Sequence, residues 1–237
     1  VLLTTDVSIP CSPAVPPAGD DHVPSFRLNA ILSTALAVFV CGLTAPLLLA
    51  AEEPGFVPLF NGKDLTGWEG DMKLWKVQDG AIVGDSPGIP HNQFLATREV
   101  YGDFELRLQF RLRDGQGNTG VQFRSRRVPE STEVSGYQAD IGEKYWGCLY
   151  DESRRNRILV QAPESLAAKL RKSDWNDYTI RAVGDHITLT LNGATTVEYR
   201  EPEADIARSG IIALQVHSGP PLKVEFRNIR LRKLAAE

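Results

Sequence analysis

Phe104-Glu-Leu-Arg-Leu-Gln-Phe-Arg-Leu112 decides the fold. Phe104, Leu106, Leu108, Phe110 and Leu112 take every second position, and Glu105, Arg107, Gln109 and Arg111 fill the gaps. A period of two over this length is a β-strand with one buried and one wet face. The alternation recurs on either side. Ile187, Leu189 and Leu191 run into Asn192-Gly193, and the chain returns through Thr195–Tyr199. Trp75–Val77 runs into Asp79-Gly80 and returns through Ala81–Val83. Asn-Gly and Asp-Gly suit the positive φ angles of a type I′ turn, so both segments are predicted hairpins. One short helix is predicted, over Glu164–Lys172. Many short antiparallel strands separated by turn signals predict an all-β sandwich of two antiparallel sheets, or a barrel.

Parity separates core from candidate site. Val121 and Phe123 share one face, as do Tyr137, Ala139 and Ile141, and Ile212, Leu214 and Val216. If these apolar sets face the core, the polar residues between them point outward. Those residues are Gln122, Arg124, Gln138, Asp140, Gln215 and His217. Should the three strands be neighbours, the six converge on one patch. The bland alternative is an ordinary solvated sheet face.

Composition sets the class. The 237 residues are 42% hydrophobic and 24% charged, with a formal charge of −4, which is a globular chain rather than a disordered one. Residues 1–26 are Pro-rich and patternless, and are expected to be an unstructured extension, with translation starting later, for example at Val23. Residues 27–51 read as a signal peptide: Arg27, an uncharged run to Ala51, Pro46, and small residues before Glu52. A retained membrane anchor is the alternative, since the run is long enough to span. A lipoprotein signal fits less well, because Val40 precedes Cys41. Residues 52–237 then form a single secreted or periplasmic domain, touching a membrane only if the segment is uncleaved. Removing Arg27, Asp6, Asp20 and Asp21 leaves a charge of about −2, which excludes nucleic acid as the expected partner.

Several motifs are weighed and set aside. Gly115-Gln-Gly-Asn-Thr-Gly120 matches the dinucleotide fingerprint but runs into a predicted strand, where the fingerprint needs a helix N-terminus. It is read as a hairpin loop. His91, His186 and His217 lack zinc-site spacing, and only His217 ends a polar-faced strand, where it suits a general base or metal ligand. Cys148, the cysteine left after residue 51, is read as a small buried hydrophobe. The arginines at 124, 126, 127, 154, 155 and 157 are read as a solvated face, with Arg124 set apart by parity. Trp68, Trp75 and Trp175 are expected in the core, and Trp146, in the loop Glu143–Gly147, as a platform for a ligand.

Phe56-Val-Pro-Leu-Phe-Asn-Gly-Lys-Asp-Leu-Thr-Gly-Trp68 resembles the opening of the 3-keto-disaccharide hydrolase family. The likeness continues through Trp75-Lys-Val-Gln-Asp-Gly80, Asn118-Thr-Gly-Val-Gln-Phe-Arg124, Gly136-Tyr-Gln-Ala-Asp-Ile141, Trp175-Asn-Asp-Tyr178, Leu191-Asn-Gly193 and Gln215-Val-His217, and closes with Phe226-Arg-Asn-Ile-Arg-Leu231. The resemblance implies a concanavalin-like jelly roll, export from a bacterium, and cleavage of glycosides already oxidised at C3. A C3 ketone acidifies the C2 proton and places the C1 oxygen β to the carbonyl, so a base can drive elimination and water can add afterwards. On that implication His217 or Asp140 is the base and Arg124 stabilises the enolate, alone or assisting a divalent metal. Gln122, Gln138, Gln215 and Trp146 bind the sugar, and Tyr150 serves as the acid. Val216 and Asp151 depart from the family pattern, which carries an acidic residue and a glycine there. The alternative functions are a non-catalytic carbohydrate-binding module and a structural envelope protein.

Overall fold

The computed structural model describes residues 54–235, so the expected extension (1–26) and signal segment (27–51) lie outside the described residues. Fifteen strands follow in order: β1 (Val57–Pro58), β2 (Trp68–Glu69), β3 (Trp75–Gln78), β4 (Ala81–Ser86), β5 (Gln93–Thr97), β6 (Phe104–Leu112), β7 (Asn118–Arg127), β8 (Val134–Gly142), β9 (Leu149–Glu152), β10 (Arg157–Val160), β11 (Asn176–Val183), β12 (His186–Leu191), β13 (Ala194–Arg200), β14 (Ile211–Val216) and β15 (Leu222–Lys233). They build two antiparallel sheets. The first runs β13-β12-β11-β6-β15-β4-β3, with β1 on β15, and the second runs β10-β9-β8-β7-β14-β5-β2. Sequence neighbours often sit in different sheets, the crossing connectivity of a jelly-roll sandwich.

The core lies between the sheets and follows the alternation. From the first sheet come Phe104, Leu106, Leu108, Phe110 and Leu112, with Ile180, Leu189 and Phe226; from the second come Val121, Phe123, Tyr137, Ala139, Ile141, Leu214 and Val216. Phe104 meets Phe123 edge-on across the layer, ring centroids 6.3 Å apart. Truncating one such buried ring to Ala removes about 3–5 kcal/mol, because the sheets cannot close on the hole.

Both predicted hairpins form. Asp79-Gly80 has φ values of 51° and 72°, and Asn192-Gly193 has 49° and 76°, as two-residue turns between twisted strands require. The glycine-rich motif Gly115–Gly120 is not the hairpin loop expected: it leads from β6 in the first sheet to β7 in the second, and Asn118–Gly120 already belong to β7. The expected helix shrinks to a 3-10 turn, Glu164–Lys169, because Leu166 is the one residue in it that reaches the core. Among the described residues no helix is long and apolar enough to cross a membrane.

Candidate functional site

The strands β8, β7 and β14 are neighbours, so their polar parities share the outer face of the second sheet. Gln122 pairs with Gln138, and Gly120 with Asp140. Ala213 pairs with Gln122 and Leu214 with Val121, so one step further Gln215 stands beside Gly120. Gly120 is the reason the amides connect. A Cβ there would lie 2.5 Å from Cγ and Cδ of Gln138, whose side chain passes over this position toward β14. A directional ladder results. Ser125 Oγ donates to Gln122 Oε1 (2.8 Å), Gln122 Nε2 to Gln138 Oε1 (2.8 Å), and Gln138 Nε2 to Gln215 Oε1 (3.4 Å). It ends on Gln215 Nε2, a buried donor that closes no hydrogen bond at normal distance but faces the Glu152 carboxyl, whose charge it favours. Such a donor costs about 1–3 kcal/mol until something accepts from it.

Solvent does not reach this ladder. Gln122, Gln138 and Gln215 are at most 1% exposed. The end of the β7–β8 hairpin bends back over the face as a roof. Val134, near its tip, packs on Phe94, Ala96 and Ala213 of β5 and β14. Glu133 Oε2 accepts from Asn92 Nδ2 (3.3 Å) and from Ser153 Oγ (3.4 Å), and Arg127 reaches Glu69 on β2 (2.9 Å). A β-bulge makes the bend, with Arg124 at φ 47° and a register shift between Phe123 and Arg126.

Under the roof sit carboxyl groups with displaced acidities. Burial holds the Asp140 carboxyl well above the usual carboxylate range, against its hydrogen bonds with Gln138 and the Ile141 N–H (2.8 Å). Burial and the neighbouring Glu133 charge push Glu152 up to about 7, while the Gln215 amide opposes them. Glu152, which no sequence motif singles out, shares the outward parity of Tyr150, which pairs with Gln138. The parity Tyr150, Glu152 was the available signal. Burial, then the Glu152 charge, raises the Tyr150 phenol. His217 lies just past β14, half-buried, with Nδ1 2.6 Å from the Ser218 carbonyl. Nδ1–H therefore donates, and Nε2 keeps its lone pair. It borders a cavity of about 250 Å³ with Asn118, Glu143 and Tyr145.

Other expected placements are corrected. Arg124 leaves the polar face, because the bulge breaks the parity. Its Nε donates to Gly102 O (3.1 Å), Nη1 to Gly184 O (2.8 Å) and Nη2 to Asp103 (2.7 Å), so it ties loops together and is not presented beside the amides. Trp146 is not on this face either. Its loop turns inward and the indole packs on the core, 6.2 Å from Phe110, where its apolar area is covered. Trp175 shares the outward parity of Asp177 instead of entering the core, and lies between the guanidinium groups of Arg111 (4.6 Å) and Arg227 (3.9 Å). Arg154 and Arg155 are not a solvated face. Both bind the buried Asp151, and Arg155 also holds Glu201 (2.7 Å) and Glu203 (2.9 Å). Burial works against the Glu201 charge, but Arg155 and Tyr137 outweigh it and hold that carboxyl at about 2. Cys148 is buried, and burial followed by the Asp140 charge pushes its thiol far up, so it is no nucleophile. Among the described residues no group of three or more His, Cys, Asp or Glu side chains is arranged to hold a metal ion. The donors of this face do not fit the divalent metal considered for Arg124.

Comparisons with known proteins agree with this architecture. A protein of Parabacteroides distasonis, provisionally named a glycosyl hydrolase, superposes with a TM-score of 0.58 at 21% identity, covering 76% of this chain and 94% of its own. The carbohydrate-binding module CBM66 of Bacillus subtilis gives 0.56 at 16% identity, over 70% and 96%. A Bacillus subtilis protein with a galectin-like fold gives 0.56 at 12% identity, over 73% and 92%. At these identities the likeness is one of fold. No curated protein matches the sequence. The profile of a family described as a 3-keto-alpha-glucoside-1,2-lyase-like domain matches residues 55–232.

Proposed function

The chain belongs to the 3-keto-alpha-glucoside-1,2-lyase-like domain family, and from that premise we propose that it is an exported enzyme cleaving the glycosidic bond of a 3-keto-glycoside. The observation that carries the proposal is Glu152, a carboxyl pushed up to about 7 beneath the roof and beside a ladder of neutral amides. A general base poised near neutrality is half ionised where it works, yet basic enough to take an activated C–H proton.

The steps balance as follows. Ionised Glu152 takes the C2 proton, and the C2–H electrons pass into the C3 ketone as an enolate. Burial favours the protonated form of Asp140, which donates a hydrogen bond to the enolate oxygen. The enolate collapses, the C1–O bond breaks, and the leaving oxygen takes a proton from Tyr150. Water held by His217 Nε2 then adds to C1 and gives its proton to the Tyr150 phenolate, while C2 recovers a proton from Glu152. Gln138 and Gln122 hold ring hydroxyls, and the open Gln215 Nε2 finds its acceptor in the sugar. Entry requires the β7–β8 roof to lift, a lid motion of the kind that excludes water from an enolate.

The test is incubation of the purified protein with a 3-keto disaccharide and with its unoxidised parent, following released sugar by chromatography. Cleavage of the keto form alone is expected. Saturable binding of both sugars without cleavage of either would transfer the site to the second reading, a carbohydrate-binding module, which the row of neutral amides favours.

A further inference from the structure

The bend that makes the roof leaves a second cavity in its elbow, reaching Ser125 at the start of the amide ladder. It measures about 250 Å³, and its walls include Arg124, Arg126, Arg154, Ser135, Ser209 and Asp205. Three arginines thus line one small space in an acidic chain, whose net charge is −4. Two of them are matched: Arg124 by Asp103 (2.7 Å) and Arg154 by Asp151 (2.8 Å). Arg154 nevertheless keeps Nη2 without a hydrogen-bond partner. Arg126 is exposed and makes no ion pair or hydrogen bond with any described residue. Asp205 is the one carboxylate in the wall, against three cations.

The backbone holds this arrangement in place. Arg124 takes φ 47° in the bulge, and Gly210 lies so close that a Cβ there would be 2.4 Å from the Ser125 backbone. The close backbone approach fixes where Arg124 and Arg126 leave β7. Burial lowers the pKa of the Arg124 guanidinium and the Arg208 charge adds to that, while the Asp103 carboxylate opposes both.

We propose that the elbow cavity binds an oxyanion, a phosphate or sulfate group, with Arg126 as its freely available donor and Ser135 and Ser209 as hydroxyl partners. Guanidinium groups match such oxygens in pairs, and serine hydroxyls complete the shell. The group can arrive as the free ion or as an ester on a sugar, and an occupied elbow braces the roof from behind.

The inference goes beyond the proposed activity, and no cleavage enters its test. Titration calorimetry of the full protein at constant ionic strength uses four probes: inorganic phosphate, inorganic sulfate, glucose 6-phosphate and glucose. Saturable binding of at least one phosphate or sulfate probe, but not of glucose at the same site, is expected. Arg126→Ala weakens it about tenfold, the loss of one charge-assisted hydrogen bond, and Arg126→Lys restores part of it. Binding of the inorganic ions assigns a free ion as ligand; binding of glucose 6-phosphate alone assigns the sugar ester. Because Arg126 is exposed, its variants keep the fold, which thermal unfolding checks. No saturation by any anion, or equal binding by Arg126→Ala, overturns the proposal.

Discussion

Replacing Glu152 by Gln removes a carboxyl that the fold ionises at a cost. In the unfolded chain this group has its ordinary value of 4.5, and in the folded protein burial and Glu133 push it up to about 7. Between those two values the folded state holds a proton that the unfolded state has lost. Stability therefore falls as pH rises through this window and stays low above it. At about 1.4 kcal/mol for each factor of ten, the whole window amounts to about 3 kcal/mol. Glutamine keeps the shape and has no charge to bury, so Glu152→Gln is expected to be more stable than wild type at pH 8 by up to about 3 kcal/mol. The advantage should vanish below about pH 5, where both states of the wild-type chain are protonated. For a domain of this size the difference is about 6–12 °C in Tm. Asp140 is raised by burial and in part by the Glu152 charge, so its smaller displacement in the variant adds in the same direction. The assay is urea unfolding of both proteins at pH 5 and pH 8. Equal stabilities at pH 8, or a less stable variant there, refute the burial argument. The same variant is expected to lose turnover, the combination expected where a site is built against stability.

Glu133→Gln removes the like charge beside Glu152 and should shift the base limb of kcat/KM to lower pH; a limb that stays near 7 means the two carboxyls are not coupled. Gly120→Ala puts a methyl where Gln138 crosses β7, and costs about 1–3 kcal/mol together with sugar affinity, read by unfolding and calorimetry. Arg124→Ala strands Asp103 and two carbonyl groups, so it should destabilise by about 3–5 kcal/mol; an inactive variant of unchanged stability would return Arg124 to the enolate. Glu201, held at about 2, contributes stability that is present above 4.5 and is lost as pH falls toward 2, a loss that Glu201→Gln should abolish in acid titrations.

Much of the sandwich was legible because a strand with one buried face writes its period into the sequence. Phe104 to Leu112 and the Asn192-Gly193 turn are local signals, and neither depends on distant partners. Parity also found the amides Gln122, Gln138 and Gln215, since regular strands keep their faces. It failed at Arg124, one residue after Phe123, because a bulge swaps faces and nothing in the letters Phe-Arg-Ser-Arg announces it. Tertiary curvature was equally silent. The roof depends on Val134 and Glu133 meeting residues some forty positions earlier in the chain, so nothing local in the sequence shows that the polar face is buried. Glu152 was hidden for the same reason. Its unusual acidity comes from that burial and from Glu133, whereas by composition it is one charge among many in Asp151–Arg157.

The central claim is that a proton leaves C2 of a 3-keto sugar to Glu152. The direct measurement is cleavage of a 3-keto disaccharide in heavy water, with deuterium at C2 of the released keto sugar read by NMR. The account predicts deuterium at C2 with the wild-type protein, to the extent that Glu152 exchanges its proton with solvent before returning one, and neither cleavage nor exchange with Glu152→Gln. Cleavage that leaves the C2 hydrogen in place, or exchange that survives in the variant, would contradict it.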